Sequence, residues 1–393
     1  MATIDRERLI TLAQGLVQKA SVTGHEREMA AYVKERMLAL GFDEAVIDRA
    51  GNVVGKICGQ GRYRILFDAH IDTVDIGDQA SWSHPPYAAE VEDGKVYGRG
   101  IADMKGALAA MLEAGAALAA EKERLPGDVY ISGTVSEEIA EGRSFEVVLD
   151  EVQPDYVIIG EASELNVKVG QRGRAEVVLE SFGKSAHSST PELAVNAAEK
   201  LADAVTALRQ VSLPHRPLLG KAIMTLTDVI SDPYPGLSVI PFRARATYDR
   251  RTLTGEQVED VLGPVQAVLD RCREEDPDFD VRVSLAENQV TTYTGYTFDN
   301  QKFFPAWELD VNHPLAAGTV QAVETTGLRP AVTAYRFCTN GSSSAGKRGI
   351  PTVGFGPGGE NMAHTVDEHV SCCDLEKAAL GYMAIMQHDY TAD

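Results

Sequence analysis

His70 and Asp72 follow the apolar run Ile65-Leu66-Phe67-Asp68-Ala69, so a segment of strand length ends on a histidine and a carboxylate. Strand ends are where α/β proteins place reactive groups. If the strand runs on, residues two apart point the same way. His70 can then bind a metal while the Asp72 carboxylate accepts a hydrogen bond from its other ring nitrogen. Similar boundaries recur downstream. Asp103 stands on the glycine-rich turn Tyr97-Gly98-Arg99-Gly100-Ile101-Ala102-Asp103-Met104-Lys105-Gly106, before an alanine- and leucine-rich helix from Ala107 to about Lys122. Glu137 and Glu138 close the strand pattern from Asp128 to Val135, and Glu161 closes Tyr156-Val157-Ile158-Ile159-Gly160. His364 falls in a loop after the strand near Pro351 to Gly356.

Each of these has an ordinary explanation alone. Asp103 at a helix start gains under about 1 kcal/mol from the helix dipole, adjacent glutamates are usually solvated, and loop histidines are usually exposed. The dipole does not explain the glycines flanking Asp103, which point to tight backbone geometry. Nor does solvation explain Glu137-Glu138 at the end of a buried strand with no lysine or arginine alongside. Together these positions favour a cation.

The elements that must carry these residues alternate. Two helices are expected between Ile4 and Leu40, split near Ser21-Val22-Thr23-Gly24. A strand follows at Val53–Ile57, then loop and hairpin from Trp82 to Val96, and a last helix starts at Asp374. From Lys168 to about Leu285 the texture changes to β-α-β-β-α-β, with one helix from about Leu193 to Arg209 and a second that begins after Thr254-Gly255-Glu256 and ends by Pro277. That order is a ferredoxin-like module in one piece. The expected fold is α/β: a catalytic domain with a mixed, mainly parallel sheet flanked by helices, plus an inserted ferredoxin-like α+β lid and dimerisation domain. Its expected bounds are residues 1–171 and 296–393 for the discontinuous catalytic domain and 172–295 for the insert.

At 393 residues the chain exceeds one simple core. A formal net charge of -21 argues against non-specific binding to nucleic acid or an anionic membrane. No window reaches transmembrane length without charge, and Met1 to Arg8 carries acids with no apolar core behind it, which argues against a secretory signal. The five cysteines, Cys58, Cys272, Cys338, Cys372 and Cys373, lack CxxC spacing. Reduced thiols in the cytoplasm fit them best, and a zinc ribbon does not. Two patterns carry nothing: Gly354 to Gly359 satisfies GxGxxG without a following helix, and Gly341 to Gly346 misses GxSxG.

Taken together, His70-x-Asp72, Gly100-x-x-Asp103-x-x-Gly106, Ser136-Glu137-Glu138, Gly160-Glu161 and His364 make the sequence resemble the M20 family of metallopeptidases and deacylases. That family includes acetylornithine deacetylase, succinyl-diaminopimelate desuccinylase and carboxypeptidase G2. Within it, Phe67 to Val74, Gly170-Gln171-Arg172-Gly173-Arg174, Asp249-Arg250-Arg251, Phe304-Pro305-Ala306-Trp307 and Thr339-Asn340-Gly341 are similar to the selenium-metabolism-linked hydrolase group.

The resemblance implies that His70, Asp103 and Glu161 hold one metal ion, and that Asp103 bridges to a second held also by Glu138 and His364. It implies Glu137 as general base, Asp72 as the partner of His70, and His187 as the residue that reaches the active site of a partner subunit and stabilises the oxyanion. Arg251 would receive a substrate carboxylate and Asn340 would contact substrate. It also implies a cis peptide between Asp103 and Met104 and a homodimer through the lid. Histidine and carboxylate ligands without cysteine suit two zinc ions, and would accept cobalt or manganese. The chain departs from the family pattern at Ser238, where Asn is frequent, and at Gly341, where several relatives carry an acid.

The expected activity is hydrolysis of an amide beside a free carboxylate, in an N-acyl amino acid or small peptide. A cyclic amide or ureido hydrolase on the same fold and a non-catalytic metal-binding scaffold stay open at this point.

Overall fold

The computed structural model describes residues 3–391, so Met1 and Ala2, the start of the stretch read against a secretory signal, lie outside the described residues. The chain forms two compact units. One holds residues up to 171, 289–298 and from 307 onward; the other holds 172–288 and 299–306. The sequence reading placed a single return near residue 296, whereas the chain crosses back twice. Residues 289–298 go with the first unit because the Tyr293 hydroxyl donates to the Gly51 carbonyl (2.9 Å) and Arg27 donates to the Tyr293 carbonyl (2.7 Å). Residues 299–306 stay with the second because Phe303–Phe304 pairs with the strand Gly173–Phe182.

In the first unit the described residues form a nine-stranded sheet. Its order is Glu44–Ile47, Val53–Ile57, Asp128–Thr134, Arg64–His70, Tyr156–Ile159, Thr352–Gly354, Val167–Gln171, Trp307–Glu308, with Val332–Tyr335 also paired to Val167–Gln171. The four strands Asp128–Thr134, Arg64–His70, Tyr156–Ile159 and Thr352–Gly354 run parallel. Their carboxyl ends therefore share one edge of the sheet. His70 is in register with Thr134, and Asp68 with Ile159, which brings Glu137, Glu138 and Glu161 to that edge from the next few residues of each chain segment.

The Arg64–His70 strand is buried from Ile65 onward, as a continuous apolar run between two helical layers should be. Alternation splits its side chains: Ile65, Phe67 and Ala69 join the main core, and Leu66 joins a smaller cluster with Phe145, Val148 and Leu149. The helix Gly106–Ala119 is buried nearly all round. Its one acid, Glu113, is tolerated there because Arg8 donates to both its oxygens at 2.6 and 2.8 Å.

The second unit runs Gly173–Phe182, helix Ala197–Leu208, Ile223–Asp232, Arg243–Thr252, helix Val258–Glu275, Asp280–Leu285. Its antiparallel sheet orders these strands Ile223–Asp232, Arg243–Thr252, Gly173–Phe182, Asp280–Leu285, the ferredoxin-like arrangement. Leu201, Ala204 and Leu208 of one helix and Val261, Val265 and Leu269 of the other pack on Val177, Leu179 and Ala246. The first helix starts later than its periodicity suggests. Asn196 caps it by accepting from the Ala198 N–H at 3.1 Å, and Pro191–Leu193 is a separate 3-10 turn. Among the described residues no helix is long and apolar enough to cross a membrane.

Candidate metal centre

At the shared sheet edge the His70 ring donates from Nδ1 to the main-chain oxygen of Asp72 at 2.9 Å. That bond leaves Nε2 facing Asp103 Oδ1 at 2.9 Å and Glu161 Oε1 at 3.7 Å. The expectation for the Asp72 carboxylate is corrected here. The strand ends at His70 and the chain turns, so the carboxylate lies 3.8 Å from Nδ1 and the main-chain oxygen takes the ring N–H instead. The freed carboxylate accepts from the backbone N–H groups of Glu137 (3.1 Å) and Glu138 (3.2 Å) and from the Thr23 hydroxyl (2.8 Å).

His364 reaches the same place from the loop after Thr352–Gly354. Its Nε2 lies 3.2 Å from Asp103 Oδ2 and 3.0 Å from Glu138 Oε2. Two triads result. His70, Asp103 and Glu161 bring one ligand atom each within 4.8 Å of one another, and so do Asp103, Glu138 and His364. Asp103 belongs to both.

Backbone geometry makes this convergence. Gly100 has φ 82°, and a Cβ there would lie 2.6 Å from Thr73 Cγ2, so the turn before Asp103 requires glycine. The Asp103–Met104 peptide is cis. Ser136 and His364 hold positive φ of 60° and 63°, a region sparsely occupied by non-glycine residues and concentrated at functional sites.

The electrostatics show carboxylates crowded together in a buried cluster. Burial raises the Glu137 carboxyl well above its usual range, with Glu161, Glu141 and Glu138 adding to the rise against the pull of His70. Burial and Asp103 likewise raise Glu161 and Glu138. Burial would raise Asp103 too, but its bonds to His364 and His70 win and hold it below the ordinary carboxylate range. Hydrogen bonds to Asp103 and Glu138 push His364 up to about 10. Asp103 faces His70 and His364, and Glu138 faces His364, while among the described residues the buried Glu137 Oε1 has no hydrogen-bond partner. Imidazole and carboxylate donors with protons where cations would sit fit divalent metal ions.

His187 and Arg251 belong to the second unit. His187 is exposed, its Nδ1 2.8 Å from the Ser189 hydroxyl. Arg251 makes a forked pair with Asp249 at 2.7 and 3.2 Å. Asn340 is a further correction. It is buried, its amide nitrogen donates to Asp68 (2.8 Å) and Thr134 (2.9 Å), and its oxygen accepts from the Gly142 N–H (2.6 Å). No donor remains for a substrate; Asn340 ties the ends of two strands to the loop after Glu138. Its partner Asp68 was missed, although an acid inside the apolar run Ile65–Ala69 is the kind of signal that marks a buried polar anchor.

A family model described as Peptidase family M20/M25/M40 matches residues 66–388. The chain belongs to the M20 family. This M20 protein is 32% identical over 368 residues to Uncharacterized protein YgeY of Escherichia coli (strain K12), covering 92% of this chain and 89% of that one. It is 28% identical over 397 residues to the succinyl-diaminopimelate desuccinylase of Paracoccus denitrificans, covering 96% and 97%. Its fold matches the M20 family metallo-carboxypeptidase Sso-CP2 from Sulfolobus solfataricus with a TM-score of 0.78, at 19% identity over 97% and 98% of the two chains. The M20 chain is accordingly a metal-dependent hydrolase of amide bonds.

Proposed function

We propose that the protein is a dinuclear zinc hydrolase that cleaves the amide bond of an N-acyl amino acid or short peptide beside a free carboxylate, as a homodimer joined through the second unit. One observation carries the reading. Asp103 is common to two ligand triads, with the unpartnered Oε1 of Glu137 buried in the same charged cluster. His70, Asp103 and Glu161 would hold one ion, and Asp103, Glu138 and His364 the other. Bound zinc would lower the pKa of the attacking water towards about 7 and polarise the scissile carbonyl.

The remaining chemistry belongs to the chain. Glu137 takes a proton from the water and returns it to the leaving amine, a role typically worth about 100- to 10,000-fold in rate. Asp72 fixes that turn by accepting the Glu137 and Glu138 backbone N–H groups. His187, supplied by the partner subunit, stabilises the developing oxyanion, and Arg251 exchanges Asp249 for the substrate carboxylate. The edge strand Ile223–Asp232 supports the dimer, because it pairs on one side only and exposes Val229 and Ile230. Five free cysteines suit a reducing cytoplasm.

The test is metal analysis of the dialysed protein together with hydrolysis of a panel of N-acyl amino acids and dipeptides. The expected result is two equivalents of metal per chain, with cleavage abolished by a chelator and restored by zinc. Protein that retains no metal and cleaves no amide in the panel would refute the reading.

A further inference from the structure

Glu368 lies four residues past His364 and is fully buried. Its Oε1 accepts from the backbone N–H groups of Ala102 (2.8 Å) and Asp103 (3.1 Å). Its Oε2 accepts from the Gly100 N–H (3.0 Å) and from Arg99 Nη1 (2.8 Å). All four donors come from the turn that carries the shared ligand Asp103. The acceptor sits on the loop that carries His364. Main chain and a second side chain tie the same two segments: the Gly98 N–H donates to the Glu368 carbonyl at 2.8 Å, and Arg99 Nη1 reaches the Thr365 carbonyl at 3.3 Å. Arg99 is held in turn over the Trp82 ring, 5.0 Å from its centroid.

A carboxylate removed from water needs its lone pairs filled, and charge-assisted bonds of this kind fix geometry as well as adding energy. The two triads do not depend on the clasp equally. Asp103 and His364, two of three ligands in the second triad, stand on the clasped segments. In the first triad only Asp103 does, since His70 and Glu161 are placed by strand ends of the sheet. We infer that Glu368 is a positioning residue that closes the second metal triad, so that its loss weakens binding at that triad while the first binds as before. This rests on the dinuclear reading, and extends it to a residue that touches neither ion.

The experiment titrates metal-free protein with Co2+ by visible absorption and calorimetry, alongside thermal unfolding of the metal-free forms. Wild type should take up two equivalents; uptake of fewer would overturn the dinuclear reading itself, whatever the variants do. Glu368→Gln keeps the shape but points an amide N–H₂ at N–H donors. It should bind one equivalent with near wild-type affinity and the second about 10- to 100-fold more weakly. Its one-equivalent Co2+ spectrum should match that of Glu138→Gln, which lacks a ligand of the second triad only, and differ from that of Glu161→Gln. Arg99→Met leaves the three backbone bonds to Glu368 and should weaken the second equivalent alone, by a smaller factor, which keeps the test open if Glu368→Gln does not fold. Equal weakening of both equivalents in either variant, or two wild-type affinities in Glu368→Gln, would overturn the inference.

Discussion

The carboxylate of Asp72 accepts the backbone N–H of Glu137 at 3.1 Å. Its other oxygen takes the Glu138 N–H at 3.2 Å and the Thr23 hydroxyl at 2.8 Å, so one buried acid fixes the backbone of both Glu137, the proposed base, and Glu138, a proposed metal ligand. Asp72→Ala should therefore lose about 10- to 100-fold in metal affinity or activity, as loss of a supporting acceptor generally does. Thr23→Val removes one donor to the same carboxylate and should cost less. Paired metal titrations and steady-state kinetics on the two variants check the order.

Glu137→Gln separates the proposed base from the proposed ligands. Nothing in either triad passes through Glu137, so metal content should stay at the wild-type value while kcat falls by about 100- to 10,000-fold. A variant that loses metal along with activity would make Glu137 a ligand instead.

Legibility in the sequence followed the period of each signal. The strand ends could be read because apolar runs of strand length each stop at an acid or histidine, and parallel pairing then gathers those ends on one edge. The β-α-β-β-α-β order of the second unit was equally plain, since alternation and helical periodicity switch cleanly there. What could not be read was side-chain direction after a strand stops. The His70–Asp72 geometry turned on whether the strand extended two residues further, and Asn340 was expected to contact substrate while its amide is held by Asp68, Thr134 and Gly142. The residue Gly341 gains a reason only in three dimensions. A Cβ there would lie 2.6 Å from Trp307 Nε1, so a side chain at this position would have to displace that ring.

Metal binding should release protons. In the metal-free chain His364 is pushed up to about 10 by Asp103 and Glu138, and His70 is raised well above its usual value, its bond to Asp103 outweighing burial. Both shifts favour the protonated ring, and coordination requires the neutral one. Apparent affinity should therefore rise with pH up to about 10, and chelators should strip the ions more readily in mild acid. Calorimetry in buffers of different ionisation enthalpy should show at least about one proton released per ion; a buffer-independent enthalpy would contradict the charge state inferred for the metal-free site.

The proposed dimer offers a test that touches no proposed ligand. Val229 and Ile230 are 59% and 55% exposed on an edge strand, where a charge opposes strand pairing. If the proposed dimer holds, Val229→Lys should convert the protein to monomer by light scattering, with metal content unchanged and activity nearly lost, since His187 would no longer be supplied across the interface. A fully active monomer would remove His187 from the mechanism.

Glu26 gives a prediction for stability with a definite sign. It is fully buried, its Oε1 accepts the Gly24 N–H at 2.9 Å, and its Oε2 has no partner among the described residues. Burial, with a smaller push from Asp72, raises its carboxyl from 4.5 to about 7. The folded chain thus binds this proton more tightly than the unfolded chain does. Between pH 4.5 and about 7 the folded state carries more protons, so stability falls as pH rises through that window and levels off above it. At 1.36 kcal/mol per unit the effect reaches at most about 3 kcal/mol. Glu26→Gln keeps the shape, carries no charge and can donate from its amide, so it should abolish that slope. Urea unfolding of the metal-free protein should find the variant more stable than wild type near pH 8 and closer to it near pH 5. A variant less stable at both would show instead that the Glu26 carboxylate is held ionised by its surroundings.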